Sequence, residues 1–590
     1  MKISQLSIEN FRGIRKASLF FPDHAVLIGD NNVGKSTILE ALDLAMGPDR
    51  LSRPSPIDEH DFHLGRYLAE ADNDELAELA AEGEPPNRIV VTVVVSDLSE
   101  EQRIHFGDYI EWWNTSKQEL YDAPDSLGLD TSPTIPALRV TFIGKYDPDE
   151  DDFEGKTYYT RTLDENETPD HFTKRDKQKC GFLYLRSIRT GTRALSLERG
   201  SLLDIILRLK EIRPKMWGAT LHELSTFDVA SDPEMGISGV LGSIDAALKK
   251  YVPREWGIQP HLRVSALTRR HLREVITAFI DTGNGTYSAP YFRQGTGTIN
   301  MLLLAMLSQI AEDKQNVIFA MEEPETAIPP YAQKRIVHEL RQLSAQTIFT
   351  SHSPYVLEEF SLEETVVLSR TADGEMTQSK VVLPDSVKLK RYRQQFRTRF
   401  CEGLLARRVL LAEGATEASA LPAAARRLSE LKPSTYASLE ALGISVLDAG
   451  SETQIVDLAH LYKSLGKETF AVCDKQTDDR KKAIEAEVKA LFMHGETGFE
   501  SLVFKNTPQA ALERFAAALE WPPHLKTKYP DYKKNTAAAL ADYFASSKGN
   551  WGIADFLAQC SEAEIPKWIR DVCIALKKAC DPQPATKSGG

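Results

Sequence analysis

The chain has 590 residues and a formal net charge of −14, room for about three or four domains of ordinary size. The acidic balance disfavours indiscriminate nucleic-acid binding over the whole surface, while leaving space for a local basic groove. The six cysteines are scattered and form no CxxC pair, which argues against a zinc site and fits a reducing compartment.

Ile3, Leu6 and Ile8 mark a first strand. No apolar stretch reaches the roughly 20 residues that span a bilayer, and the N-terminus lacks a signal-peptide core. A cytoplasmic protein without membrane contact is expected. Residues 25–28 read as a short buried strand and residues 36–45 as the start of an apolar helix. Between them Gly29, Asn31, Asn32, Gly34, Lys35, Ser36 and Thr37 fall in the spacing GxxxxGK(S/T). In that setting backbone amides curl around a phosphate, and the helix N-terminus adds partial positive charge. Lys35 is placed to reach the β- and γ-phosphates of ATP, and Ser36 to hold Mg²⁺.

Residues 48–90 are polar and acidic, with a helix expected around 74–81. Residues 88–95 are a β-branched run and predict a strand, and a strand pair follows at 138–143 and 157–162. From 195 to 250 the pattern turns helical, with apolar spacing at 202–209 and 240–248. Residues 262–264 and 275–279 return to strand or mixed character. Gln294, Gly295, Thr296 and Gly297 then precede an apolar helix over 298–310, a second helix N-terminus able to meet an anion.

A buried strand at 317–321 runs into Glu322, Glu323, Pro324 and Glu325. A strand end of this kind sets one carboxylate beside a metal and another beside an attacking water. Glu322 is read as the metal-side acid and Glu323 as the base. A further buried strand, 347–350, leads to Ser351 and His352, and His352 is placed to sense a γ-phosphate.

The order of these parts resembles the ABC-type ATPases of the SMC and RecF kind, and Leu6–Gly13 looks like the first strand of that group. The resemblance implies that Gly295 and Gly297 of one subunit cap the ATP of another, hence a homodimer or higher homo-oligomer. Two departures stand out: Glu322 where many members have Asp, and TAIPP at 326–330 where relatives read more like AxLHP.

Residues 388–399 carry six positive charges with Tyr392 and Phe396 interleaved, either a phosphate-neutralising element for DNA or the solvated face of a linker helix. Nothing in it reads base edges. Apolar strands at 409–412, 444–447 and 470–472 alternate with helical stretches, a second α/β domain. The first of these ends in Glu413, Gly414 and, four residues on, Glu417. The third leads to Asp474, with Asp478, Asp479 and Glu500 beyond. Carboxylates at strand ends can share a divalent cation.

This half resembles a Toprim domain, and an ATPase followed by Toprim resembles the OLD (overcoming lysogenization defect) nuclease family, a layout shared by the Gabija nuclease subunit. The resemblance implies one or two Mg²⁺ or Mn²⁺ ions held by Glu413, Glu417 and Asp474. Gln476 breaks the DxD pair of the family; Asp478 or Asp479 can substitute, or one metal site is weak, and Glu500 is a further candidate ligand. Lys548 matches the family's C-terminal lysine, which would stabilise transition-state charge. A UvrD-like helicase partner is implied only through the Gabija resemblance.

The expected architecture is an α/β chain: an ABC/SMC-type P-loop ATPase with halves at 1–190 and 263–387 around a helical insertion at 191–262 that dimerises. A Toprim domain with its basic linker and C-terminal helices occupies 388–590. The leading reading is an ATP-regulated DNA endonuclease or nickase of phage defence or DNA repair. A repair ATPase with a degenerate, nonnucleolytic Toprim module remains open, supported by Gln476.

Overall fold

The computed structural model describes residues 1–48, 56–68, 87–122, 134–165, 168–185, 196–197, 201–210, 212–226, 237–250, 268–281, 288–313, 317–326, 328–384, 397–496, 498–546 and 552–580. The expected helix at 74–81, the segment 262–264, Lys548 and most of the basic run 388–399 lie outside these residues. No helix among the described residues is long and apolar enough to cross a membrane.

The larger sheet has thirteen strands among the described residues. Its antiparallel part holds β1 (Lys2–Phe11), β2 (Ile14–Phe20), β4 (Ile89–Ser96), β5 (Ile110–Asn114), β6 (Glu119–Tyr121), β7 (Thr134–Asp147) and β8 (Asp152–Tyr159). Its parallel part runs through β14 (Thr365–Arg370), β3 (His24–Ile28), β13 (Gln346–Thr350), β12 (Ile318–Glu322) and β9 (Phe182–Leu185). β15 (Glu375–Lys380) closes the sheet between β14 and β2.

The parallel strands are apolar on both sides because each side meets a separate core. Ala25, Leu27, Ile318, Ala320 and Ile348 face one core, shared with the helix Lys35–Met46 and with β1 and β4. Val26, Ile28, Phe319, Met321 and Phe349 face the other. That period-two split of a continuous apolar run is what a sheet covered on both faces requires.

The helical stretch is as expected where described: Leu202–Leu209, Arg213–Thr226 and Ile237–Leu248. Three expectations need correction. The strand expected at 157–162 ends at Tyr159, and Thr160–Glu165 is a short helix. Residues 275–279 are a junction between the helix Arg269–Val275 and β10 (Phe279–Asp281), which pairs with β11 (Ser288–Pro290). The apolar helix begins at Thr296 and runs to Asp313, so Gly297 sits in its first turn rather than before it. The β-branched Thr298 and Ile299 that follow do not prevent the earlier start.

The second sheet is a four-stranded parallel one in the order β17 (Ile444–Asp448), β16 (Arg408–Ala412), β18 (Glu468–Cys473), β19 (Ala490–Met493). The same alternation recurs. Val409, Leu411, Ala471 and Cys473 join the core that already holds Val26 and Phe319, so one apolar interior runs from the larger sheet into the smaller. Leu410, Phe470 and Val472 face a third core, built with the C-terminal helices including Lys567–Cys580. The chain moves from β16 outward to β17 and returns to β18, which places a topological switch point beside β16, where α/β sheets bind ligands at their carboxyl ends.

Candidate functional site

The phosphate loop leaves β3 at Ile28 and enters the helix at Lys35. Gly34 has φ 110°, a left-handed conformation that an L side chain rarely adopts. A Cβ added at this position would also lie 2.9 Å from the Met376 methyl. Asp30, Asn31, Asn32 and Ser36 are exposed, while Lys35 is buried. Lys35 Nζ donates to Gly29 O at 2.9 Å and Asp30 O at 3.1 Å. Burial lowers the Lys35 pKa, opposed by the charges of Glu323 and Asp30. A phosphate in the loop restores what burial removes from the charged form.

β13 lies between β3 and β12, so the ends of all three strands meet. Glu323, just past β12, has φ 44°, and its N–H donates to Thr350 O at 2.9 Å. Positive φ at a bulky residue is a strained conformation of the kind found at functional sites. The pKa of His352 is lowered by burial and then by the neighbouring Lys35 charge. The structure therefore brings Lys35, Glu323 and His352 together. Glu322 accepts a hydrogen bond from Tyr184 of β9. Glu325, unassigned from sequence, clamps the switch loop: its Oε1 accepts from the Ser351 hydroxyl at 3.0 Å and the His352 N–H at 2.7 Å. Gly295 and Gly297 lie at the N-terminus of the helix Thr296–Asp313, with Gly295 exposed.

A buried cation from the other sheet reaches this loop. Lys467, one residue before β18, has a side chain only 5% exposed, and its Nζ lies 3.7 Å from Asp30 Oδ1. Burial lowers its pKa, opposed by Asp30.

The acids of the second domain gather at the carboxyl ends of β16 and β18. Glu413 Oε2 accepts the Asp474 N–H at 2.9 Å and the Gln476 amide Nε2 at 3.3 Å. Glu417 sits in the first turn of the helix Ala415–Leu431 and is 6% exposed. Its pKa is pushed up to about 7, first by burial and then by the charges of Asp474, Glu500 and Glu413. Burial also raises the Glu413 pKa. Asp474 Oδ2 accepts the Gly498 N–H at 2.7 Å, and Gly498 holds φ 87° to present it. Glu500 accepts from the Thr416 hydroxyl at 2.9 Å.

Asp478 is a correction. It stands exposed in the first turn of the helix Asp478–Glu487, where helix-terminal positive charge favours an acid, and it does not join the converging ligands. Those are Glu417, Asp474 and His494, with ligand atoms all within 4.8 Å of one another. His494 was not singled out from sequence. It follows β19 as Glu413 follows β16 and Asp474 follows β18, and the apolar run ALFM ending in His-Gly is the signal that points to it. Glu413 and Glu417, whose pKa values are raised, together with Asp474 and a buried histidine make a donor set that suits a divalent cation.

The family model described as "AAA domain, putative AbiEii toxin, Type IV TA system" matches residues 25–358, more than half of the chain. The chain belongs to this AAA family. A second model, "Overcoming lysogenization defect protein-like, TOPRIM domain", matches residues 404–475. The chain thus joins an AAA ATPase domain to an OLD-like Toprim domain. It is similar to "Endonuclease GajA" of Bacillus cereus (strain VD045), with 20% identity over 438 residues that cover 71% of this chain and 66% of that protein, just under two thirds of its length. Among solved structures, the C-terminal region of the Burkholderia pseudomallei OLD protein matches 30% of this chain and 98% of that chain, at 18% identity and a TM-score of 0.23. An SMC head bound to the C-winged helix domain of ScpA matches 66% of this chain and all of that one, at 12% identity and a TM-score of 0.34.

Proposed function

We propose that the chain is an ATP-binding, divalent-metal-dependent DNA endonuclease or nickase whose cleavage is regulated by its ATPase, in phage defence or DNA repair. One strand carries the reading. At one end of β18, Lys467 lies against Asp30 of the phosphate loop; at the other, Asp474 enters the carboxylate cluster. The seven residue steps from Lys467 to Asp474 span roughly 23 Å of extended chain, so one strand joins the two sites.

ATP, when bound, supplies phosphate charge beside Lys35 and Lys467. Lys35, now bonded to the Gly29 and Asp30 carbonyls, would hold that charge, and Glu323 and His352 would handle the water and the γ-phosphate. A divalent cation at the cluster supplies an activated water and stabilises developing charge on a phosphodiester. The chain's own residues orient the ligands: the Asp474 N–H and Gln476 hold Glu413, and the Gly498 N–H holds Asp474. Lys548 is assigned to transition-state stabilisation by the OLD resemblance.

The same reading divides the chain into ATPase halves at 1–190 and 263–387, an insertion at 191–262 that makes a dimer contact, and a nuclease region at 388–590. Gly295 and Gly297 would cap a second subunit's ATP, the residues 388–399 would meet DNA phosphates, and a UvrD-like helicase is a candidate partner. The similarity to Endonuclease GajA supports DNA as substrate.

A second reading, a repair ATPase with a nonnucleolytic Toprim module, is favoured by Gln476, which spends its amide on Glu413. Supercoiled and linear DNA incubated with Mg²⁺ or Mn²⁺, with and without ATP, separates the two. Cleavage by wild type that is lost in Glu413→Ala and altered in Lys35→Ala supports the nuclease. Intact DNA under every condition, with ATP hydrolysed, supports the second reading.

A further inference from the structure

His494 is 3% exposed, yet neither ring nitrogen has a hydrogen-bond partner. Its Nε2 lies 3.0 Å from Asp474 Oδ1, but the contact is not aligned as a hydrogen bond, and that oxygen also lacks one. Buried polar groups are left in this state rarely, and such exceptions point to a ligand or ion. The ring is held in place from behind. Trp568 packs edge-on against it at 5.1 Å and 80°, and Phe499 at 6.1 Å and 67°. Trp568 is itself fixed by its indole N–H, which donates to Met493 O at 3.1 Å. Packing therefore holds the imidazole facing Asp474, with the charges of Asp474 and Glu496 close by and neither ring nitrogen in an aligned side-chain hydrogen bond.

Gln476 explains why a position is open. At the place where the DxD pattern would put a second acid, its amide nitrogen donates to Glu413 Oε2 and, at 3.2 Å, to Asp474 O. Turning the amide over would set its oxygen against two other oxygens, so the carbonyl is not offered to a cation in this arrangement. Glu417, Asp474 and His494 meanwhile present one atom each within 4.8 Å, a spacing that metal–ligand bonds of about 2.1 Å on either side nearly close.

We infer that His494 Nε2 is a metal ligand that takes the place of the missing DxD acid, and that Glu417, Asp474 and His494 form a site for Mn²⁺ in preference to Mg²⁺. The inference rests on the cluster being the metal site of the proposed nuclease. Its chemistry follows from the donor set. Mg²⁺ keeps near-ideal octahedral oxygen coordination and gives up water reluctantly. Imidazole nitrogen favours first-row transition ions, and carboxylates suit Mn²⁺ equally.

The test is electron spin-echo spectroscopy of Mn²⁺ bound to the nucleotide-free, full-length protein, alongside calorimetric titration with Mn²⁺ and Mg²⁺. Nucleotide is left out so that the phosphate loop does not contribute a second Mn²⁺. We expect nitrogen-14 coupling from a directly bound imidazole in wild type, replaced by nitrogen-15 coupling when the protein is labelled with ¹⁵N-histidine. His494→Gln should abolish the coupling and weaken Mn²⁺ binding by about tenfold or more, with Mg²⁺ binding nearly unchanged. The wild-type spectrum decides the matter even if the variant folds poorly. Mn²⁺ that binds wild type, is lost in Asp474→Ala, and shows no nitrogen coupling overturns the role of His494 and leaves the metal reading standing. Mn²⁺ binding that is absent from wild type, or that survives both Asp474→Ala and Glu417→Gln, overturns the metal reading itself.

Discussion

The phosphate loop and the carboxylate cluster are both built on the carboxyl ends of parallel strands, but from different material. The loop at 29–37 is one contiguous segment whose backbone amides and single lysine meet an anion. The cluster converges Glu417, Asp474 and His494, with Glu413 and Glu500 beside them, from three strand ends and two helix starts, and in the proposed reading its side chains would meet a cation. A contiguous site carries its own conformation in its sequence. A convergent site exists only once the sheet order β17-β16-β18-β19 is set.

The largest expected effect isolates the cluster. Asp474→Ala should lower DNA cleavage by at least about a hundredfold while nucleotide affinity stays at the wild-type value, as read by gel assay and by titration with a fluorescent ATP analogue. Loss of both together would mean that the two sites do not divide the chemistry as described.

Glu417 gives the cluster a pH signature below neutrality. In the metal-free protein its pKa stands at about 7, above the ordinary carboxylate value near 4.5. The folded state therefore holds a proton between those limits that the unfolded state has released. Stability should fall as pH rises from about 4.5 to about 7, by about 3 kcal/mol at most for this group, and then level off. Urea melts in EDTA should show that slope in wild type and a flatter one in Glu417→Gln. An unchanged slope would show that Glu417 is not held protonated.

Lys35→Ala should weaken ATP binding by about tenfold or more, since a charge-assisted contact to phosphate contributes about 1.5–3 kcal/mol. Mn²⁺ affinity at the cluster, measured without nucleotide, should not change. The smallest effect belongs to the link between the sites. Lys467→Met should alter the ratio of cleavage rates with and without ATP by about fivefold, with Mn²⁺ affinity unaffected. A ratio equal to that of wild type would remove β18 as the coupling element.

The same contrast explains how much was legible in the sequence. The P-loop, the strand that ends in Glu322 and Glu323, and the switch His352 follow from local spacing, and the structure brings Lys35, Glu323 and His352 to one place. The parallel strands were readable because both faces are buried and the apolar runs are continuous. Lys467 and Tyr184 were not, because each acts on a residue more than a hundred positions away. Asp478 looked like a substitute ligand by proximity in sequence, but a helix begins at that residue and turns it to solvent. His494 follows the four-residue strand Ala490–Met493, too short to stand out in the sequence, and a lone histidine has no pattern of its own.

The central claim is that nucleotide in the first site governs metal-dependent cleavage at the second. The most direct measurement is the nicking rate of supercoiled DNA in Mn²⁺ by wild type and by Asp474→Ala, each with and without ATP. The account predicts cleavage by wild type at a rate that changes with ATP, and no cleavage by Asp474→Ala in either condition. Cleavage by wild type at one rate regardless of ATP, or equal cleavage by Asp474→Ala, would contradict it.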